Sequence, residues 1–173
     1  MNFNAEQISI MQRLVGKRLI NIFYQPTANI IAEDNMFVIN FGSNKVEYSL
    51  HSFSYVRFRN SKHILLTSAD EYFSPKYTHL TDEEIYSQDG FEKSLIPVRI
   101  KNVKQLLKNA RVVKVTVKDW GDIEINFDNE IVLEVSIDCS YEDYEYYRFI
   151  DVLKKRHYVV TFKKGELKIT VLK

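Results

Sequence analysis

The residues of this 173-residue chain that could do chemistry are concentrated in one acidic and aromatic stretch in its last third. The stretch contains these candidate site residues: Asp138, Tyr141, Glu142, Asp143, Tyr144, Glu145 and Tyr146. Aromatic side chains anchor protein interfaces and negative charge raises the rate of encounter with a basic surface, so we predict a partner-binding face here. The alternative is a strand with its tyrosines inward and its carboxylates in solvent. General acid–base catalysis is disfavoured, because a surface run lacks the differing environments that separate two carboxyl pKa values.

Histidine and cysteine provide weaker candidates. His63 and His157 each precede a run of apolar residues at matching points of the sequence. They could meet across a pseudo-twofold axis to bind a metal or transfer a proton, although a structural role at the start of a strand is the simpler interpretation. Cys139 stands beside carboxylates, which do not favour a reactive thiolate. Zinc-binding, EF-hand and glycine-rich phosphate-binding motifs are absent from the sequence, so we predict no catalytic residues, no metal site and no cofactor.

The elements that would position these residues are mainly antiparallel strands. Over residues 111–138, apolar and polar residues alternate in three runs, which are separated by Trp120-Gly121-Asp122 and by Asp128-Asn129. Side chains alternate faces along a strand, so the pattern predicts a meander of three strands, each apolar on one side. A final hairpin is predicted around a turn at residues 163–165.

An earlier part of the chain carries the same pattern with matching residues. Residues 18–22 resemble 111–115, and residues 37–41 resemble 123–127 with the triplet Ile-Asn-Phe in common. Three further matches follow in the same order: 46–50 with 133–137, Arg57-Phe58 with Arg148-Phe149, and 63–67 with 157–161. Chance alternation would reproduce polarity but not residue identity, so we predict two diverged copies of one β-meander unit.

The predicted fold class is α+β, mainly antiparallel β, with a short helix before each copy. Asn4 would cap the first helix, which would end at Gly16, and Asn102 would cap the second. The predicted organisation is a first β-rich copy over 1–67, an acidic connector over 68–97 and a second β-rich copy over 98–173. The connector either only links the copies or has a function of its own. Each copy has sheets with one apolar side, so we expect the copies to pack as one globular unit or to share a sheet.

Composition narrows the classes of partner. The net charge of +1 provides no global field for nucleic acid or an anionic membrane. Basic residues between Arg99 and Lys118 lack the interleaved aromatics that stack on bases, which also disfavours nucleic acid. The single cysteine excludes an intramolecular disulfide and fits a reducing compartment. The sequence shows no signal-peptide pattern and no uncharged run of membrane-spanning length, so we predict a cytoplasmic protein of bacterial type without a membrane partner.

Several short sequences in the second copy carry a resemblance to a known group of proteins. They are Val-Val-Lys-Val at 112–115, Ile-Asn-Phe-Asp-Asn at 125–129, Leu-Glu-Val at 133–135, His-Tyr-Val-Val at 157–160 and Gly-Glu-Leu-Lys-Ile at 165–169. With the acidic stretch between them, this layout resembles small β-rich bacterial proteins of uncharacterised function. Some of those look like immunity proteins encoded beside secreted toxins. The resemblance extends more loosely to the first copy, transfers no catalytic residue and implies a binding role.

Three functions are therefore left open by the sequence. The first is a non-catalytic protein-binding protein, such as a toxin-neutralising immunity protein, that docks a basic partner through the acidic and tyrosine-rich face. The second is a small-molecule binder or enzyme with a cleft between the copies that uses His63 and His157. The third is a structural subunit that forms homo-oligomers through exposed strand edges.

Overall fold

Two helices and eleven strands make up the part of the chain that the computed structural model describes, which is residues 5–25, 36–71, 94–137, 142–164 and 166–172. The helices are α1 (Ala5–Gln12) and α2 (Ile96–Leu106), and a 3₁₀ turn covers Ser68–Glu71. The strands are β1 (Arg18–Gln25), β2 (Met36–Gly42), β3 (Tyr48–Ser52), β4 (Tyr55–Arg59), β5 (Ile64–Thr67), β6 (Val112–Val117), β7 (Ile123–Phe127), β8 (Val132–Ser136), β9 (Glu145–Asp151), β10 (Arg156–Lys163) and β11 (Glu166–Leu172).

The strands form two antiparallel sheets. The six-stranded sheet has the order β1-β2-β3-β9-β10-β11, and the five-stranded sheet has the order β5-β4-β8-β7-β6. The predicted meander is β6, β7 and β8, and the predicted final hairpin is β10 and β11. The prediction of a mainly antiparallel β protein with two short helices is thus confirmed.

Each sheet combines strands from both sides of residues 72–93. In the six-stranded sheet β3 pairs with β9, so that Leu50 lies opposite Phe149. In the five-stranded sheet β4 pairs with β8, so that Phe58 lies opposite Leu133. In each sheet, three consecutive strands from one part of the chain form a meander, and strands from the other part extend the sheet at one side of that meander.

The first hairpin of each part has the same register. Leu19 lies opposite Phe41 in one and Val112 opposite Phe127 in the other, and a β-bulge follows both pairs. Beyond the bulges, the next paired positions are Asn21 with Asn40 and Lys114 with Asn126. The bulge therefore occupies the same point of both hairpins.

At two places the strand pairings of the two parts differ from the proposed sequence matches by an even number of residues. Leu50 lies opposite Ile39 and Leu133 lies opposite Ile125, so Leu50 corresponds to Leu133 and the match of 46–50 with 133–137 is displaced by four residues. Phe58 pairs with Leu66 and Phe149 with Tyr158, which displaces the match of 63–67 with 157–161 by two residues. A shift by an even number of residues keeps every side chain on its own face, so alternation alone could not detect either difference.

The two sheets share one hydrophobic core. Their buried apolar residues belong to a single cluster, whose largest fully buried members include Phe37, Phe41, Phe58, Tyr147 and Phe149. Fully burying a side chain such as Phe or Leu is worth about 1.5–3 kcal/mol, so this cluster dominates the stabilisation of the fold. The sheets therefore hide their apolar sides from water against each other, as the alternation predicts.

The helices complete the core and lie beside three outer strands. α1 contributes Ile10 and Met11 and packs on β6, where the side chain of Gln12 donates a hydrogen bond to the Val115 carbonyl at 2.8 Å. α2 contributes Ile96 and Val103 and packs across β1 and β5. These contacts place α1 beside β6 and α2 beside β1 and β5, which are outer strands of the two sheets.

The predicted helix boundaries need correction. α2 begins at Ile96 rather than after Asn102, and Pro97 lies in its first turn. Proline has no backbone N–H group. It is tolerated there because an N–H group in the first turn of a helix has no acceptor within the helix. α1 ends at Gln12, and the chain then turns to Gly16, whose φ of 83° is readily adopted by glycine. The predicted Asn4 cap lies outside the described residues, as does most of the predicted 68–97 connector.

Candidate functional site

The acidic and tyrosine-rich stretch forms a turn that leads into β9. Asp138 and Tyr141 lie outside the described residues. Glu142 and Asp143 are exposed, and Asp143 has a left-handed φ of 58° in the turn. Glu145 then begins β9 and is half-buried. The exposed carboxylates of the predicted face are therefore Glu142 and Asp143 within the described range.

The two described tyrosines of this stretch, Tyr144 and Tyr146, are half-buried and buried. Tyr146 is fully buried, and the half-buried ring of Tyr144 packs edge-on against it with centroids 5.4 Å apart. Tyr147 is also buried, and its hydroxyl donates a hydrogen bond to the Gly121 carbonyl at 2.7 Å. Burial raises the pKa of the Tyr147 hydroxyl, and the nearby charge of Asp122 raises it further. Tyr146 cannot contact a partner directly, which favours the alternative interpretation of an inward-facing strand.

The described carboxylates of the stretch have partners within the protein. Glu145 accepts two hydrogen bonds from Arg148, at 2.8 and 2.7 Å, and these raise the pKa of the Arg148 guanidinium. Asp143 lies 3.4 Å from the Lys163 ammonium, and Glu142 accepts a hydrogen bond from the Lys164 backbone N–H at 2.7 Å. Glu145 is thus paired with a cation of β9 and Asp143 with a cation at the β10–β11 turn, which weakens the argument for steering toward a basic partner.

The two candidate histidines lie in different sheets. His63 is exposed just before β5 of the five-stranded sheet, whereas His157 is half-buried in β10 of the six-stranded sheet. The electrostatic neighbour of His157 is instead His51, which lies opposite Arg148 in the pairing of β3 with β9. Burial lowers the pKa of His51, and the positive charges of Arg148 and His157 lower it further, so the environment favours neutral imidazole.

A small cavity and a larger cleft accompany the six-stranded sheet. The cavity measures about 20 Å³ and is apolar, with Met11, Val117 and Tyr158 among its lining residues. This is room for about one water molecule, so the space between the sheets is filled at this point. Neither the cavity nor the cleft is lined by His63 or His157.

The larger cleft lies at the β1 edge and has a volume of about 320 Å³. We call it the cationic cleft, and it is lined by Arg18, Leu19, Ile20, Ser43, Asn44, Lys104 and Lys108. These residues come from β1, from the β2–β3 turn, from the last turn of α2 and from the turn that follows it. No sequence pattern marks this site, because its charges are brought together only by the packing of α2 on β1.

β11 is the outer strand of the six-stranded sheet on the side opposite β1, and its residue Ile169 lines the small cavity together with Ile10 and Met11 of α1. Near its end Val171 and Leu172 are exposed. The turn after β9, residues 152–155, lies at the same end of the sheet, because both β9 and β11 run antiparallel to β10. That end also presents Val152, Leu153, Lys154, Lys155 and Arg156, all of which are exposed. We call this combined surface, β11 with residues 152–156, the open edge.

Among the described residues, no three His, Cys, Asp or Glu side chains come together in a way that could hold a metal ion. Neither described helix is long and apolar enough to cross a membrane.

Fold and surface together define an antiparallel two-sheet β protein with a filled core, a cationic cleft at one sheet edge and an open strand at the other. Comparison with protein-family models, with curated protein sequences and with solved structures gives no significant match. The resemblance to immunity proteins remains a prediction, and a function has to be inferred from the surface itself.

Proposed function

We propose that this protein is a non-catalytic binding protein that docks a protein partner through its open edge. The observation that carries the proposal is the exposed apolar end of β11, where Val171 and Leu172 are 53% and 47% exposed. An edge strand presents backbone N–H and C=O groups that can pair with an extended segment of another chain. Natural proteins usually cover such edges, and in this structure helices pack along β1, β5 and β6.

The chemistry of the open edge indicates the kind of partner. Val152 and Leu153 add apolar surface at the same end of the sheet, and Lys154, Lys155 and Arg156 follow directly in the chain. An extended segment that alternates apolar with acidic residues would complement both features. We therefore favour an acidic partner over the basic partner that the sequence predicts. The exposed carboxylates among the described residues of the acidic face, Glu142 and Asp143, already contact Lys164 and Lys163 within the protein.

We also infer that the two parts of the chain are diverged copies of one unit that exchange strands. Support comes from the shared hairpin registers, from the bulge at the same point of both hairpins and from the reciprocal pairing of β3 with β9 and β4 with β8. On this inference the open edge belongs to the second copy alone, because β11 follows β10 with no described strand in the matching place after β5. A surface that only one copy has is not required by the shared fold.

The docking proposal is tested by selecting peptides from a random display library against the full chain and measuring their dissociation constants. We expect the selected peptides to alternate apolar and acidic residues, and Val171→Lys to weaken their binding by about tenfold or more, since a charge in an apolar contact is poorly accommodated. Val113→Lys is the matched control, because Val113 is also 53% exposed but lies on β6, an outer strand that contacts α1. Peptides that bind both variants as tightly as the parent protein would refute the docking surface.

The same observation favours a second candidate, which is a subunit that self-associates by pairing β11 with β11 of another copy. Sedimentation velocity over a range of protein concentrations distinguishes the two. A dimer that dissociates in Val171→Lys but persists in Val113→Lys would assign the open edge to self-association. A monomer at all concentrations would leave the edge to a different protein.

A further inference from the structure

We propose that the cationic cleft is a binding site for a small phosphorylated anion. Three of its lining residues are cations, Arg18, Lys104 and Lys108, and none is a carboxylate. Like charges gathered in one cleft repel each other, and an anion bound among them removes that repulsion. The cleft lies at the β1 edge of the six-stranded sheet, opposite the open edge, so the inference does not depend on the proposed docking function.

Arg18 is the one arginine among the residues that line the cleft. Its Nε atom is buried and has no hydrogen-bond partner. Buried donors in native proteins nearly always have an acceptor, and leaving a charged one unsatisfied is costly. Arg18 also lines the cleft, and a planar guanidinium matches the oxygens of a phosphate through two parallel hydrogen bonds.

The two lysines complete the positive wall of the cleft. Lys104 lies in the last turn of α2 and Lys108 in the turn that follows the helix, and both line the cleft. Both are exposed, and neither forms an ion pair with any carboxylate of the described residues. Lysine binds phosphate as a flexible point charge, which suits an ammonium that reaches across an open cleft.

The charges around the cleft do not cancel this positive wall. The carboxylate of Glu47 forms an ion pair with Lys17 and accepts a hydrogen bond at 2.8 Å from the backbone N–H of Ser43, which lines the cleft. Arg111 forms a backbone bridge with Arg18, but its guanidinium already donates a hydrogen bond to the Gly16 carbonyl at 2.9 Å. The Ser43 hydroxyl accepts from Lys17 and keeps its own proton to donate.

Size and lining restrict the class of anion. A volume of about 320 Å³ is at the lower end of the range for small-molecule sites, about 300–1,000 Å³. No aromatic residue lines the cleft, so the stacking platform that single-stranded nucleic acid uses is absent from it. Leu19 and Ile20 provide an apolar wall for the uncharged part of a ligand. These features favour a phosphorylated small molecule over a polynucleotide.

The test uses inorganic pyrophosphate as the probe and isothermal titration calorimetry with the full chain at low ionic strength. We expect one saturable site in the parent protein, and weakening by about tenfold or more in the double variant Lys104→Gln and Lys108→Gln, since charge-assisted hydrogen bonds are roughly twice as strong as neutral ones. Both lysines are exposed, so this variant should keep the urea unfolding midpoint of the parent protein. Arg18→Lys keeps the charge but loses the planar fork, and it should also weaken binding.

The matched control is the double variant Lys114→Gln and Lys118→Gln, which removes the same charge from exposed positions at the β6 strand of the other sheet. It should bind pyrophosphate as the parent protein does. Equal weakening in both double variants would show that net charge alone attracts the probe, and the proposal would fail. It would also fail if pyrophosphate did not bind, or if the protein bound vesicles of phosphatidylglycerol without binding pyrophosphate.

Discussion

Replacing Tyr147 by phenylalanine should destabilise the protein through the loss of one buried hydrogen bond. The Tyr147 side chain is 1% exposed, and its hydroxyl donates to the Gly121 carbonyl at 2.7 Å. This bond joins β9 of the six-stranded sheet to the β6–β7 turn of the five-stranded sheet. Tyr147→Phe removes the donor but leaves the carbonyl of a buried glycine without that partner.

The size of the effect follows from the Gly121 carbonyl, which loses its hydrogen bond from the Tyr147 hydroxyl. An orphaned buried polar group costs about 1–3 kcal/mol, whereas the cavity left by one oxygen atom is small. We therefore expect the free energy of unfolding to fall by about 1–3 kcal/mol. With a urea slope of about 2 kcal/mol/M, the midpoint should move down by about 0.5–1.5 M.

The assay is urea unfolding followed by circular dichroism and by the fluorescence of Trp120, the only tryptophan, which precedes Gly121. Tyr158→Phe is the matched control, because Tyr158 belongs to the same core but its hydroxyl has no hydrogen bond to another described residue. This control should change the unfolding free energy by less than about 0.5 kcal/mol. Equal midpoints for the two variants would refute the assignment of stability to the Tyr147 bond.

The same variant should alter the response to alkali. Burial raises the pKa of Tyr147 above its usual value of 10, so the folded chain keeps a proton that the unfolded chain releases. Stability is then fully present below pH 10 and is lost as the pH rises beyond it. Tyr147→Phe should make that alkaline loss smaller, which urea midpoints measured on both sides of pH 10 would reveal.

Two further predictions concern the β2–β3 turn. A hydrogen bond from the Lys17 side chain lowers the pKa of Glu47 from 4.5 to about 2, so the stability it contributes is present above pH 4.5 and is lost as the pH falls toward 2. Glu47→Gln should therefore show a smaller drop in urea midpoint over that range, and an unchanged drop would contradict the assignment. A Cβ atom at Gly42 would lie 1.8 Å from the Lys45 carbonyl oxygen, so Gly42→Ala should cost about 1–3 kcal/mol in thermal unfolding, like other overpacked sites. Gly16→Ala meets no atom within 4 Å and should cost only the left-handed strain of about 1–2 kcal/mol, and the reverse ranking would refute this account.

Most strands could be predicted because one physical pattern determines them locally. Ile123, Ile125 and Phe127 are buried in β7, while Glu124 and Asn126 lie between them on the other face. The neighbours of each strand could not be predicted in the same way. Alternation specifies which face a residue takes but not which strand lies beside it, so the pairing of β3 with β9 and β4 with β8 became known only from the structure.

The burial of the tyrosines in β9 could not be predicted for a different reason. Tyr146 and Tyr147 are consecutive in β9 yet both are buried, which simple alternation forbids. The pairing explains this, because Val160 lies opposite Tyr147 and Thr161 opposite Glu145, so Tyr146 is the extra residue of a bulge. The sequence has no local mark of a bulge, so alternation alone could not decide between an outward-facing Tyr146 and the inward-facing alternative. The cationic cleft could not be predicted either, since Arg18 and Lys104 are brought together by tertiary packing.

The exchange of strands between the two sheets has a consequence for synthesis on the ribosome. When residue 71 has emerged, β3 and β4 have been made, but β9 and β8, which pair with them, have not. About a hundred residues remain, which at about 5–20 residues per second takes roughly 5–20 seconds. Until β8 and β9 have been made, β4 has only β5 beside it and β3 has only β2, and two nascent chains could complete one another instead. The yield of correctly assembled monomer should therefore fall when translation is slowed beyond residue 71 or when chaperones that hold unfolded chains are depleted.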